Sequence, residues 1–125
     1  MNRVLVVDDD AVIRMVVRDA LEAVGLHVIE AAGPEVALER VRCDAPDLLI
    51  LDIMLPRMDG LALLSQIRDS GNDITVLVFS ATGARNEDRA RELGAAAYLA
   101  KPFQIDLFVD TVQQLLVDLN EKLSA

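Results

Sequence analysis

Six side chains in this chain of 125 residues have the types needed for joint chemistry, and all directly follow apolar runs. Asp8, Asp9 and Asp10 follow Val4 to Val7, Asp52 follows Leu48 to Leu51, Ser80 follows Val76 to Phe79, and Lys101 follows Ala96 to Ala100. Carboxylates held within a few ångströms of one another raise each other's pKa and destabilise an empty site, which a cation relieves. The donors are hard oxygens, and the chain's single histidine and single cysteine, His27 and Cys43, lie elsewhere in the sequence. Mg²⁺, with Mn²⁺ as an alternative, is therefore expected rather than zinc. Lys101 offers a positive point charge to a phosphoryl oxygen and Ser80 a hydroxyl to another. An aspartate, a divalent cation, a lysine and a hydroxyl suit phosphoryl transfer onto a carboxylate.

Such a set works only if the backbone brings it to one edge. Val4 to Val7, Leu48 to Leu51 and Val76 to Phe79 are continuously apolar, the pattern of strands buried on both faces. His27 to Ala32 and Ala96 to Ala100 carry fewer β-branched residues and read as strands nearer the sheet edges. Between them, Ile13, Val16, Val17, Ala20, Leu21 and Val24 recur at helical spacing up to Gly25. Pro34 opens a second helix through Val41 that ends before Pro46, and Leu61, Leu63, Leu64 and Ile67 mark a third after Gly60. Asn86 to Leu93 is short and charged, with Ala90 and Leu93 as its inward residues, so this fourth helix is expected to be the moving part. Ile105, Phe108, Val109, Val112, Leu115, Leu116 and Leu119 give a long final helix. Strict alternation of strand and helix predicts a doubly wound α/β fold with a five-stranded parallel sheet covered on both faces. In such sheets, ligands bind beyond the carboxyl ends of the strands, where strand order reverses.

Composition narrows the partners. Twelve basic against 21 acidic residues give a net charge of −9, and no basic cluster occurs, which argues against direct nucleic-acid binding. Apolar residues make up 53 % of the chain, enough for a core, yet no run approaches the roughly 20 residues of a spanning helix. A lone cysteine and the lack of signal-peptide flanks fit a reducing cytoplasm. The length suits a single domain over residues 1–125, with proteins or cations as partners.

The stretches VLVVDDD, LLILDIMLPRMDG, VLVFSA and GAAAYLAKPF resemble, in order and spacing, the receiver domain of two-component response regulators across essentially the whole chain. The resemblance implies a flavodoxin-like, three-layer fold with strand order 2-1-3-4-5. It implies that Asp52 accepts a phosphoryl group from a histidine kinase or phosphotransfer protein, and that the domain is a phosphoacceptor rather than an enzyme in the ordinary sense. Asp8 and Asp9 match the acidic pair that holds Mg²⁺, together with Asp52 and the backbone carbonyl of Met54. Lys101 matches the lysine that meets the phosphoryl group, and Pro102 follows it across a cis peptide bond. Ser80 matches the hydroxyl residue that swings toward the phosphate, and Tyr98 the aromatic whose rotamer follows, altering the surface around the fourth helix and fifth strand. Pro56 and Gly60 fall at loop positions after the acceptor. Met54 and Thr82 occupy positions where some members carry groups that orient hydrolytic water, which implies a long-lived phosphorylated form.

Other readings stand beside these. Asp10 is expected to face solvent, His27 to be an ordinary structural or surface residue, and Cys43 to be a packing residue or inert thiol. The run from Arg85 to Glu92 reads as a solvated helix face. Asp8, Asp10 and Val12 form the Asp-x-Asp-x-Val pattern of haloacid-dehalogenase-type phosphatases, but the acids that first follow Lys101, Asp106 and Asp110, fall on a helix and Asp52 would have no role. A pseudo-receiver scaffold independent of phosphorylation would not need Asp9, Asp52, Ser80 and Lys101 together. The chain resembles a stand-alone receiver or the N-terminal part of a regulator with an output domain, acting on a downstream protein. Leu116 and Leu123, off the core stripe, would leave room for a homodimer contact.

Overall fold

The computed structural model describes residues 2–55, 58–81, 83–102 and 104–124, with residues 83, 84, 123 and 124 described by backbone alone. Pro56, Thr82 and the side chain of Leu123 lie outside the described residues. The elements run β1 (Arg3–Val7), α1 (Ala11–Glu22), β2 (His27–Ala31), α2 (Pro34–Asp44), β3 (Leu48–Asp52), α3 (Gly60–Asp69) and β4 (Thr75–Ser80). A 3₁₀ turn (Gly83–Asn86), α4 (Glu87–Glu92), β5 (Ala97–Ala100) and α5 (Ile105–Ser124) complete the chain. All pairings are parallel and the sheet order is β2-β1-β3-β4-β5, the expected doubly wound topology. The order reverses between β1 and β3, where Val7 pairs with Leu51, so Asp8 and Asp52 emerge side by side at the carboxyl edge.

Residues of β1 alternate between two apolar layers, which explains the unbroken run of apolar residues. Leu5 and Val7 join Leu61, Leu64 and Ile67 of α3 on one face, while Val4 and Val6 join Val17 and Leu21 of α1 and Phe108, Val112 and Leu116 of α5 on the other. Helix ends follow local chemistry. Asp10 caps α1 by accepting from Val12 N at 2.9 Å, and Asp59 caps α3 by accepting from Leu61 N at 2.8 Å. Helix α4 buries only Ala90, in keeping with its expected weak hold on the sheet.

Several expectations are corrected. Of the apolar set on α1, Val17 and Leu21 are fully buried, because a helix of twelve residues lays only a narrow i, i+4 stripe on the sheet. Val16 and Val24 are exposed, as are Val12 and Met15. Leu116 belongs to the core, eight residues after Phe108 and four after Val112 on one face of α5, so it offers no dimer surface. Among the described side chains of α5, the large apolar ones that are exposed are Ile105, Leu107 and Val117. Cys43 is exposed, since the inner stripe of α2 runs through Ala37 and Val41 and a position two further on is rotated away. Ala32 and Ala96 lie just outside β2 and β5.

Candidate functional site

Beyond β1 the chain turns Asp8 inward, where it is 1 % exposed. Its N–H donates to Ala31 O at 3.2 Å, and its Oδ1 accepts from Asp10 N at 2.8 Å. Asp52, the last residue of β3, is 4 % exposed, and its Oδ1 accepts from Met54 N at 3.0 Å. Asp9 is exposed, yet carboxylate oxygens of Asp8, Asp9 and Asp52 lie within 4.8 Å of one another. From the far side of the sheet, Lys101 Nζ donates to Asp8 Oδ2 at 3.0 Å and to Asp52 Oδ2 at 3.2 Å. The same ammonium sits 4.6 Å from the ring centroid of Phe79, whose buried face supports it. Lys101 N donates to Ser80 O at 2.7 Å, continuing the β4–β5 ladder by one step, and the Lys101–Pro102 peptide is cis. Ser80 is buried at the end of β4, and Tyr98 is half-buried on β5 against the face that holds α3. Met54 keeps its side chain in solvent, 57 % exposed, at the rim.

Burial is the largest influence on Asp52 and pushes its carboxyl above the usual range; the Met54 N–H opposes it, the Asp8 charge adds to it, and Lys101 opposes it. For Lys101, burial alone would lower the ammonium's pKa. The hydrogen bond to Asp8 and the charges of Asp52 and Asp8 outweigh that, and the pKa ends above the usual lysine value. Of the three clustered carboxylates, Asp8 and Asp52 thus share the Lys101 ammonium, and Asp9 adds a further negative charge. The all-oxygen donor set and this surplus of negative charge suit a hard divalent cation such as Mg²⁺.

The acceptor also constrains its surroundings. Gly60 N donates to Ile53 O at 2.6 Å, and a Cβ on Gly60 would collide with the Asp52 carbonyl oxygen and sit 2.7 Å from Ile53 Cα. Only glycine lets the start of α3 pass directly beneath the acceptor strand.

The structure therefore gathers Asp8, Asp9, Asp52 and Lys101, with Ser80 at the same edge. Asp10 does not join them: it is exposed and its Oδ1 is engaged in capping α1, so the Asp-x-Asp pair of the phosphatase alternative is not assembled. Three contributors escaped the sequence reading. Phe79 lies under Lys101, Arg14 of α1 donates to the Asp8 main-chain carbonyl, and Glu30 of β2 accepts from Arg14. The signal for Glu30 was present as a carboxylate in an otherwise apolar strand, and it went unused.

The profile of the response regulator receiver domain matches residues 4–113. Response regulator MprA of Mycobacterium ulcerans is 40 % identical over 115 residues, which are 91 % of this chain and 50 % of that protein. The chain thus spans about half the length of the curated relatives it matches. The receiver domain of Francisella response regulator 1452 superposes with a TM-score of 0.87 at 30 % identity, covering 92 % of this chain and 96 % of that one. The Thermotoga maritima response regulator TrrA, solved in complex with Mg²⁺ and BeF, gives a TM-score of 0.83 at 31 % identity, covering 92 % and 99 %. Profile, relatives and pocket agree that this chain belongs to the response regulator receiver domain family.

Proposed function

We propose that Asp52 accepts a phosphoryl group from the phosphohistidine of a histidine kinase or phosphotransfer protein, and that the resulting acyl phosphate changes the protein-binding surface around α4 and β5. The observation that carries this reading is the convergence of the Asp8, Asp9 and Asp52 carboxylates on one another, with Lys101 bonded to Asp8 and Asp52. Asp8, Asp9, Asp52 and the Met54 carbonyl would hold Mg²⁺, an ion present with BeF in the complex of the similar regulator TrrA. Bound there, the cation supplies neutralising charge for the carboxylates and for the phosphoryl oxygens. Asp52 attacks phosphorus in line, the N–P bond breaks as the O–P bond forms, and the donor imidazole leaves and is reprotonated by solvent. Lys101 turns from the carboxylates to a phosphoryl oxygen, Ser80 donates its hydroxyl to another, and Tyr98 follows into the space that Ser80 leaves. The domain acts as a switch that assists its own phosphorylation.

A protein donor is favoured by what flanks the pocket. Val12 and Val16 of α1 and Ile105 of α5 expose apolar surface there, and with Pro102 and Ala81 they border a cleft of about 410 Å³ beside Lys101. A small phosphate ester gains little from that surface, whereas a docking protein buries it.

Incubation with acetyl phosphate and Mg²⁺ followed by intact-protein mass spectrometry tests the reading. One phosphoryl group is expected on the wild type and none on Asp52→Ala, whose fold persists by circular dichroism. Equal labelling of both would overturn the assignment, as would turnover of phosphomonoesters at enzymatic rates.

A further inference from the structure

We propose that Arg14, oriented by Glu30, is a positioning residue for the acidic pocket, fixing the Asp8 backbone so that the Asp8 and Asp9 carboxylates meet Asp52 around a divalent cation. The inference rests on the phosphoacceptor reading above and adds two residues to it.

Glu30 is where the chain departs from its own pattern. On β2, the alternation that places Val28 in the layer with Val17 and Leu21 of α1 places Glu30 on the same side, pointing at a helix. A carboxylate there costs stability unless paired. It is paired twice: Arg14 Nε donates to its Oε1 at 3.1 Å and Arg18 Nη1 to its Oε2 at 2.7 Å. The two arginines differ in kind. Arg18 is largely in solvent and makes its other contact, at 3.3 Å, to Glu22, so its pairs are of the surface type that contributes little. Arg14 is the inner member, with a side chain 17 % exposed, and its Nη1 donates to the main-chain carbonyl of Asp8 at 2.6 Å.

Both backbone polar groups of Asp8 are therefore tied to the end of β2. Its N–H reaches Ala31 O directly, and its carbonyl reaches Glu30 through the Arg14 guanidinium. The residues that follow carry the strain of the site, because Asp9 is exposed and like-charged to its neighbours. Repulsion among three carboxylates is relieved most easily by letting this turn drift outward. A planar guanidinium that donates from two separate nitrogens, Nε and Nη1, holds it in place, a fixed fork that the single nitrogen of a lysine does not reproduce. Groups that orient metal ligands in this way typically change metal affinity by about 10- to 100-fold when removed.

Calorimetric titration with Mg²⁺, paired with acetyl phosphate labelling rates across Mg²⁺ concentrations, tests the proposal on the wild type, Arg14→Met, Arg14→Lys, Glu30→Gln and Arg18→Met. Arg14→Met is expected to weaken Mg²⁺ binding by about 10- to 100-fold, with a matching rise in the Mg²⁺ needed for half-maximal labelling and a smaller change in the rate at saturation. Glu30→Gln moves the same way by less, Arg14→Lys fails to restore wild-type binding, and Arg18→Met leaves binding unchanged. Unaltered Mg²⁺ affinity in Arg14→Met or Glu30→Gln overturns the proposal, as does an equal loss in Arg18→Met, which would reveal only the removal of surface charge. If Arg14→Met does not fold, Arg14→Lys and Glu30→Gln decide by the same criteria. A wild type that binds Mg²⁺ without being labelled overturns the phosphoacceptor reading, while calorimetry still decides the role of Arg14.

Discussion

The Lys101 ammonium and the Asp8 carboxylate meet at 3.0 Å across 93 residues of chain. Asp52 shares the ammonium at 3.2 Å, so one cation from β5 stands between two buried anions from β1 and β3. Removing one partner of a buried ion pair leaves the other charge uncompensated.

Lys101→Met is therefore expected to destabilise the metal-free protein by about 3 kcal/mol, the lower end of the range for breaking a buried pair, since the lysine keeps some contact with water. Mg²⁺ should recover much of this loss, giving the variant a steeper rise of Tm with Mg²⁺ than the wild type. Urea denaturation with and without Mg²⁺ measures both. Because the Lys101 pKa is raised, its stabilisation is complete below the ordinary lysine value and is lost as pH rises through the raised one. The wild type should thus weaken in strongly alkaline solution, and the variant should lack that component.

Asp52 carries the opposite consequence for an acid. Burial above all holds its carboxyl above the usual range, so the stability linked to it is full below the unfolded-state value and is lost as pH rises through the folded-state value. At neutral pH the metal-free fold bears the cost of burying this carboxyl. Asp52→Asn is expected to be more stable than the wild type there, by a margin that shrinks as pH falls through the window between the raised and the ordinary carboxylate value. Denaturation midpoints at neutral and acidic pH, without metal, provide the comparison; a margin that stays constant across that window would contradict it.

Gly60→Ala should be among the most damaging single-carbon additions to the chain. The new methyl meets the Asp52 carbonyl oxygen and Ile53 Cα, both backbone, which cannot swing aside. A loss of about 1–3 kcal/mol is expected from overpacking. Displacement of the acceptor strand should also slow acetyl phosphate labelling at temperatures where the variant remains folded, as followed by urea denaturation and labelling rate together.

Met54 is expected to lengthen the lifetime of the phosphorylated form. Its thioether, exposed at the rim two residues after the acceptor, cannot orient an attacking water by hydrogen bonding. Met54→Asn is expected to shorten the half-life of the acyl phosphate roughly fivefold, the equivalent of one hydrogen bond of about 1 kcal/mol made in the transition state. Loss of the 80-Da adduct over time, measured by mass spectrometry after donor removal, gives the rate. An unchanged or slower decay would remove Met54 from this role.

The strands and the charged edge were legible because they rest on short-range rules. A run such as Val4 to Val7 has no alternative to burial on both faces, and the polar residue after each run must fall at the sheet edge. Asp8, Asp9, Asp52, Ser80 and Lys101 were found this way. What escaped depends on long-range packing. Periodicity cannot tell that Val16 on α1 and Val24 beyond its end stay exposed while Leu116 of α5 is packed into the core. Nor can it pair Arg14 with a backbone carbonyl, since a guanidinium on a helix reads as solvated until a strand places Glu30 beside it. Asp10 was assigned only to solvent, although an aspartate just before a helix is a favoured cap.

The hydrogen bond from Lys101 N to Ser80 O gives the pocket two unlike walls. The wall bearing Asp8 and Asp52 is embedded in the sheet centre and behaves as an anvil. The opposite wall, where Lys101 and Ser80 are stitched together, ends on β5, whose residues all border solvent. Swelling of the pocket by an added phosphoryl group therefore has one direction of yield, outward along the rim strand, so arrival of the signal and its display on the surface are a single displacement.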